Sequence, residues 1–261
     1  MFSTPDQRFI KSDSIILRRS DYSETSLVML LLTREYGTMS VLAKGARRPK
    51  HIFEGEIDLF ARGQAVILLR PRGTLHILTE FSCRERYLGL RHSPARAAAA
   101  HYSAQAAADA SPDQDPQPEI YDLLSHTLSR LEEGEIAPVL AYFQVHLLRL
   151  SGYMPDLGEC TVCRSELEGE SLTYSFSKAG PTCPKCRGED DRAVSVSRGV
   201  ISLITSLARK TAPARGRIYI PSPLALETVS FLGRLIAAAF ERDPRILGPL
   251  LAALSKKPAV K

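Results

Sequence analysis

Thr25-Ser-Leu-Val-Met-Leu-Leu-Leu-Thr33 and, beyond Tyr36, Gly37-Thr-Met-Ser-Val-Leu-Ala43 are the runs whose reading decides the fold. Both are rich in leucine and β-branched residues, and the turn chemistry of Tyr36-Gly37 separates them, so they read as strands and not as one helix. Outward from this pair, Ser14 to Arg18 precedes it, and Gln64 to Arg70 and Thr74 to Phe81 follow on either side of Arg70-Pro-Arg-Gly73. That makes five strands. The interval from Gly45 to Gly63 contains Pro49 and is too long for a hairpin, so a short helix or a structured loop is expected there. Five short strands with an insertion after the third is the order of an OB-fold, a Greek-key barrel that commonly binds oligonucleotides. An SH3-like barrel is the alternative.

From Ser93 to Ser151 the pattern turns helical. Ser93-Pro94 can open a helix, and the alanine-rich run to Ala108 has high helix propensity. Asp113 to Pro118 breaks it. Glu119 to Glu133 then sets Ile120, Leu123, Leu124, Leu128 and Leu131 on one face, and Ala137 to Ser151 repeats the pattern until Gly152. Three more helices are expected later, over Ser197 to Lys210, Leu224 to Arg242 and Arg245 to Leu254. Ser222-Pro223 and Asp243-Pro244 start the last two.

Between these helices stands Cys160-Thr-Val-Cys163, followed after nineteen residues by Cys183-Pro-Lys-Cys186. Two CxxC knuckles can aim four sulfurs at one point and close a tetrahedron around a single Zn²⁺. With no open ligand position such an ion supports a fold and does no chemistry. Two disulfides or a redox dithiol are the competing readings. The chain opens Met-Phe-Ser-Thr-Pro without an apolar signal core, which points to a cytoplasmic protein and favours the metal.

The 34 basic against 29 acidic residues leave a net charge of +5, a weak lean towards a polyanionic partner. Its distribution says more. No acidic residue lies between Tyr36 and Phe53, so Lys44, Arg47, Arg48 and Lys50 are expected to act without local neutralisation and to contact phosphates, with Arg34, Arg70 and Arg72 as neighbours. A second acid-free run, Arg192 to Leu226, carries Arg198, Arg209, Lys210, Arg215 and Arg217; its default reading is a solvated helix face. The chain has no Trp, and Phe9, Tyr22, Tyr36, Phe53 and Phe60 read mostly as core, which leaves phosphate charge to dominate binding. No HExxH, GxSxG, Walker or GxGxxG pattern occurs, so an enzyme is not expected. His146 reads as a satisfied core histidine and Cys83, placed beyond the fifth strand, as a small buried hydrophobe. No apolar run approaches the roughly 20 residues that span a bilayer, so no membrane partner is expected.

Ala43-Lys-Gly-Ala-Arg-Arg-Pro-Lys50, Leu148-Arg-Leu-Ser-Gly-Tyr-Met-Pro-Asp-Leu157 leading into Cys160-Thr-Val-Cys163, and Gly180-Pro-Thr-Cys-Pro-Lys-Cys186 together resemble the RecO family of bacterial recombination mediators. The order of elements agrees along nearly the whole chain. The resemblance implies an N-terminal OB-fold, a helical domain and a zinc module. It implies binding of single- and double-stranded DNA, annealing of complementary strands, and work with RecR to load RecA onto DNA coated by single-strand-binding protein. It also implies no cofactor-dependent catalysis and a nucleoid-associated, cytoplasmic location.

The expected organisation is therefore α+β and multidomain. An OB-fold DNA-binding barrel occupies 1–82, a helical domain 83–157 and 191–255, an inserted four-cysteine zinc module 158–190, and a tail 256–261. Two rival readings remain: a zinc-ribbon adaptor that binds protein without direct DNA binding, and a nuclease whose carboxylates converge only in space.

Overall fold

The computed structural model describes residues 8–48, 53, 57–71, 75–190, 192–209, 220–242 and 247–255. The chain divides into two compact units, 1–134 and 135–261. This division falls at Gly134, inside the span expected to form the first part of one helical domain.

The first unit is built on five strands, β1 (Phe9–Asp21), β2 (Leu27–Thr33), β3 (Gly37–Ala43), β4 (Arg62–Leu68) and β5 (His76–Glu85). They close in the order β1-β2-β3-β5-β4, with β3 and β5 parallel and every other pair antiparallel. This is the OB-fold. Closure depends on β1, whose first half pairs with β4 from Phe9↔Leu68 to Ile15↔Arg62 and whose second half pairs with β2 from Ser14↔Thr33 to Asp21↔Leu27. A bulge between Ile16 and Arg18 bends the strand from one partner towards the other. Alternation sends Ile10, Leu27, Met29, Leu31, Met39, Val41, Ala65, Ile67, Leu78 and Phe81 inward to one core.

β1 begins at Phe9 and not at Ser14. Lys11, Ser12 and Asp13 obscure its alternation, yet β4 supplies their backbone partners. β5 likewise runs through Cys83 to Glu85, because Ser82, Cys83 and Glu85 pair with Gln64, Gly63 and Arg62. Cys83 is half-buried inside that strand, and burial raises its thiol pKa. Between β3 and β4 the described residues form turns and no helix.

A short 3-10 turn (Leu88–His92) leads to α1 (Pro94–Asp109) and α2 (Pro118–Glu133). Buried Ala99, Ala100, Ala106 and Ala107 let α1 lie close to its neighbours. It meets the barrel through Arg18, which donates to Gln105 at 2.6 Å, and through His101, edge-on to Phe60 at 4.9 Å. The α1–α2 linker seats on the β2–β3 turn, where the Gln114 N–H donates to the Thr38 carbonyl at 3.1 Å. Gly37 has φ 69°, and a Cβ there would stand 2.2 Å from the Asp115 carbonyl oxygen.

The second unit contains α3 (Ile136–Leu150), α4 (Arg198–Ala208), α5 (Ser222–Ala239) and α6 (Leu247–Ser255). α3 packs on both α4 and α5, and the Gln144 amide donates to the Val229 carbonyl at 3.2 Å. Ser197 caps α4 by accepting from the Val200 N–H. Between α3 and α4 lies a three-stranded sheet absent from the sequence reading: β6 (Ser171–Ser175) in the centre, β7 (Gly180–Thr182) and β8 (Val194–Ser197) at its sides. Tyr174 of β6 meets Phe231 of α5 edge-on at 5.3 Å and ties the sheet to the helices. Arg198, from the second acid-free run, donates to the carbonyls of Leu167 and Gly169 and so fastens the loop before β6. Lys210, Arg215 and Arg217 lie outside the described residues. No described helix is long and apolar enough to cross a membrane.

His146 on α3 is buried, but it is not the satisfied histidine expected. Its Nε2 has no hydrogen-bond partner among the described residues, and its ring lies tilted against that of Tyr142, with centroids 4.2 Å apart. Burial, aided by Arg149, lowers its pKa to about 4.

Two outcomes are expected. Gly37→Ala, strained at positive φ and blocked by backbone, should cost about 2 kcal/mol or more in urea unfolding. The folded state keeps His146 neutral, so its stabilising effect is whole above the ordinary histidine pKa near 6.5 and is lost as pH falls towards 4. His146→Phe should flatten the dependence of melting temperature on pH in that window. His101 and His126, also lowered by burial, will retain part of the slope.

Candidate metal centre and nucleic-acid interface

The two cysteine pairs sit in tight backbone reversals. In the first, the Cys160 N–H donates to the Ser165 carbonyl at 2.8 Å and the Arg164 N–H to the Cys160 carbonyl at 2.9 Å, with Arg164 at φ 62°. In the second, the N–H groups of Cys186 and Arg187 both donate to the Cys183 carbonyl, at 3.0 and 2.9 Å. The Thr161 N–H bonds the Pro181 carbonyl at 2.8 Å and holds one reversal against the other.

The sulfurs of Cys160, Cys163, Cys183 and Cys186 consequently lie within 4.8 Å of one another, and none forms a disulfide. Sγ of Cys163 and Sγ of Cys183 are 3.7 Å apart. Four metal–sulfur bonds of about 2.3 Å arranged as a tetrahedron have edges of about 3.8 Å, so the group fits a single ion. Cys160 and Cys183 are buried, Cys186 is half-buried and Cys163 is exposed.

Two of the four thiols are already biased towards the thiolate form that ligates. Backbone N–H groups, that of Cys163 foremost, pull the Cys160 thiol down to about 6, and the Ser165 hydroxyl pulls Cys163 down. Cys186 is pushed up to about 12 by its contacts with the Cys183 and Cys163 sulfurs. Four negative sulfurs cannot crowd together unless a cation offsets their repulsion, and one bound ion does so. The four cysteines can hold a metal ion, and no ligand position would remain open.

Around this cluster the sheet supplies a brace that the cysteine pattern did not reveal. Lys178, in the β6–β7 turn, donates through Nζ to the carbonyls of Cys186 at 2.6 Å and Arg187 at 3.1 Å. Its own N–H donates to Ser175 Oγ at 3.1 Å. Ser175 donates in turn to Asp190, which also accepts from Ser177 at 2.8 Å. These hydroxyls, Ser175 first, hold the Asp190 carboxyl below the usual range. The alternating Ser171-Leu-Thr-Tyr-Ser175 and Val194-Ser-Val-Ser197 were the available signal for the strands that carry this brace.

The basic candidates separate by strand direction. β1 and β3 run towards one end of the barrel, where Lys44, Arg47 and Arg48 follow β3. β2 runs the other way, which puts Arg34 at the opposite end. Arg34 therefore does not adjoin the basic loop, whereas Arg70 is hydrogen-bonded to His76, whose strand partner Val41 lies three residues before Lys44.

Two candidates are also neutralised by acids distant in sequence. Arg34 donates from Nε and Nη2 to both oxygens of Asp122, at 3.0 and 2.9 Å, and these bonds raise its pKa. Arg47 is not free of local neutralisation as expected: it pairs with Asp21 at 3.1 Å and donates to the Ser23 carbonyl at 3.3 Å. Lys44 and Arg48 are exposed, with no acidic partner among the described residues. Arg70 is exposed, and its backbone N–H donates to His76 Nδ1 at 3.0 Å. Lys50 and Arg72 lie outside the described residues. Phe53 and Phe60 are core and Tyr36 is half-buried, but Phe9 and Tyr22 are 53% and 64% exposed.

An OB-fold unit followed by a helical unit with a four-thiol metal site defines a distinct class of chain. Residues 8–87 match the model of the Recombination protein O N terminal domain, and residues 91–245 that of its C terminal domain. The chain is 36% identical over 198 residues to the DNA repair protein RecO of Rhodopirellula baltica, covering 75% of this chain and 73% of the relative. It is 31% identical to the RecO of Roseiflexus sp., with 92% and 84% covered, and 29% identical to that of Anaeromyxobacter sp., with 94% and 99% covered. The chain belongs to the RecO family of DNA repair proteins.

Cys160→Ser should lower metal content and melting temperature together, because the metal bonds stand in for a core the module lacks. Lys178→Met should keep the metal yet release it to a chelator about tenfold faster, since outer supports of metal ligands act on that scale. Metal content by elemental analysis and release by absorbance check the pair.

Proposed function

We propose that this chain binds single- and double-stranded DNA, anneals complementary strands and, with RecR, helps load RecA onto DNA coated by single-strand-binding protein. The observation that carries this reading is the pair Lys44 and Arg48, exposed cations without acidic partners among the described residues, on the loop after β3 of an OB-fold. Family membership supports the same reading.

Physically the task is modest. Two strands repel through their phosphates, and a basic surface that neutralises both lowers the barrier to pairing without reading bases. No ATP and no covalent chemistry are required, so the chain acts as a mediator and not as an enzyme. Lys44 and Arg48 make the main phosphate contacts. Arg47 orients the loop against the β1–β2 turn, Lys50 extends the basic run, and Arg34, Arg70 and Arg72 contribute further positive charge. Its place of action is the cytoplasm, at the nucleoid.

The bound ion in this reading is one Zn²⁺ in a structural role, held by Cys160, Cys163, Cys183 and Cys186. Four thiolates in a closed tetrahedron suit zinc and leave no site for an activated water. The adaptor reading keeps one supporting observation, a cleft of about 840 Å³ beside Cys163 and Cys183 lined by Leu167, Leu172 and Pro184.

The test is annealing of a fluorophore-labelled and a quencher-labelled oligonucleotide, without ATP, across a salt series and with or without single-strand-binding protein. Faster pairing that survives the coating protein and fades with salt is the expected result. Lys44→Ala with Arg48→Ala should slow annealing and reduce the slope of log affinity against log salt by about 0.7 for each single-strand phosphate no longer neutralised. No acceleration at any salt would favour the adaptor.

A further inference from the structure

The cleft beside the cysteine cluster treats the four sulfurs unequally. Cys163 and Cys183 both line it, and Cys160 and Cys186 do not. The two sulfurs it reaches belong to different knuckles and stand 3.7 Å apart. A disulfide bond is about 2.05 Å long, so the gap left to close is under about 2 Å. Cys163 is exposed, whereas Cys160 is buried and its sulfur accepts from the Cys183 N–H at 3.4 Å. One sulfur is therefore open to a small solute, and a second lies beside it.

The rest of the wall bears on which solute that is. Exposed acids and exposed cations border the cleft in equal number, Glu166 and Glu168 with Lys185 and Arg187, so it draws in neither sign of ion. A small neutral oxidant meets no electrostatic barrier there, and hydrogen peroxide is one. The Ser165 hydroxyl lies 3.2 Å from Cys163 Sγ. A hydrogen bond donated to sulfur withdraws electron density and lowers its nucleophilicity, so Ser165 restrains the exposed sulfur without shutting it off.

We propose that Cys163 and Cys183 form a reversible oxidation site for hydrogen peroxide, through which the cluster gives up its metal. This inference rests on the structural-zinc reading above and adds to it a modification of two of the ligands. The Cys163 thiolate attacks one oxygen of the peroxide; the O–O bond breaks, Cys163 becomes a sulfenic acid and hydroxide leaves. The Cys183 thiolate then attacks the Cys163 sulfur, forms the S–S bond and expels a second hydroxide. Each sulfur has given up one electron, the peroxide has gained two, and two protons from solvent turn both hydroxides into water. Two thiolates remain, those of Cys160 and Cys186, where a structural zinc ion takes four ligands. The new bond still joins the two knuckles, and both strands of the β6–β7 hairpin lie inside the loop it closes. The hairpin stays bounded, so a thiol reductant can regenerate the four-thiolate site.

The test uses the full-length, zinc-loaded protein carrying Cys83→Ser, which leaves the cluster cysteines as the only ones in the chain. Hydrogen peroxide is added, zinc release is followed with a colorimetric chelator, and the remaining thiols are alkylated and mapped by mass spectrometry. One equivalent of zinc should leave for every two thiols lost. Cys160 and Cys186 should remain open to alkylation, and the disulfide-linked peptides should be those of Cys163 and Cys183. Dithiothreitol with added zinc should restore full occupancy. Ser165→Ala, compared at equal zinc content, should release zinc about threefold faster, because the attacking sulfur has lost its hydrogen bond. Zinc retained against peroxide, a disulfide within either CxxC pair, an oxidation that dithiothreitol does not reverse, or an unchanged rate in Ser165→Ala would overturn the assignment. Should Ser165→Ala fail to load zinc, the disulfide map of the unaltered cluster decides alone. Absence of zinc from the protein as purified would overturn the structural-zinc reading first, and this inference with it.

Discussion

The first unit depends on one strand serving two partners. β1 bonds to β4 through its first half and to β2 through its second, and this sharing, together with the parallel contact of β3 and β5, closes the sheet on itself. A closed barrel has no unpaired edge to expose. Closure also sets the ends of the barrel: the β1–β2 turn and the basic loop after β3 share one, and the β2–β3 turn stands at the other.

The second unit solves a different problem. Residues between α3 and α4 make a three-stranded sheet with little apolar interior of their own, and Tyr174 against Phe231 ties it to the helices. Four thiols within 4.8 Å supply the missing cohesion, provided a cation removes their mutual repulsion. Lys178, Ser175 and Asp190 then link the sheet to the second cysteine pair by hydrogen bonds. Knuckles and sheet support each other: Lys178 of the β6–β7 turn holds the second knuckle, and the Thr161 N–H of the first bonds the Pro181 carbonyl of β7.

Charge on the barrel is decided by subtraction. The linear sequence shows a run of cations without acids, but Asp21 arrives from β1 to pair with Arg47, and Asp122 arrives from α2 to pair with Arg34. These pairs are exposed and add little to stability. Their effect is to convert two candidate phosphate ligands into ties between elements. In the loop after β3, Lys44 and Arg48 keep no acidic partner among the described residues, and exposed Arg70 beyond β4 likewise has none.

Local chemistry made several features legible without coordinates. β3 coincides with the run read from Gly37 to Ala43, because its alternation is clean and Gly37 supplies the positive φ that its turn requires. The CxxC pairs specify a metal site by themselves, since two short reversals are enough to converge four sulfurs. Other features depend on partners distant along the chain. Lys11, Ser12 and Asp13 belong to a strand only because β4 lies beside them. The three short strands after Leu157 are too brief to stand out until they pair, and the role of Lys178 exists only once the β6–β7 turn lies beside the second knuckle. Sequence by itself determined the strand count of the barrel, the helices and the four cysteines that can hold a metal ion, all of which follow from spacing along the chain. Tertiary structure alone decided which cations stay unpaired, because that depends on pairing registers that bring distant residues together.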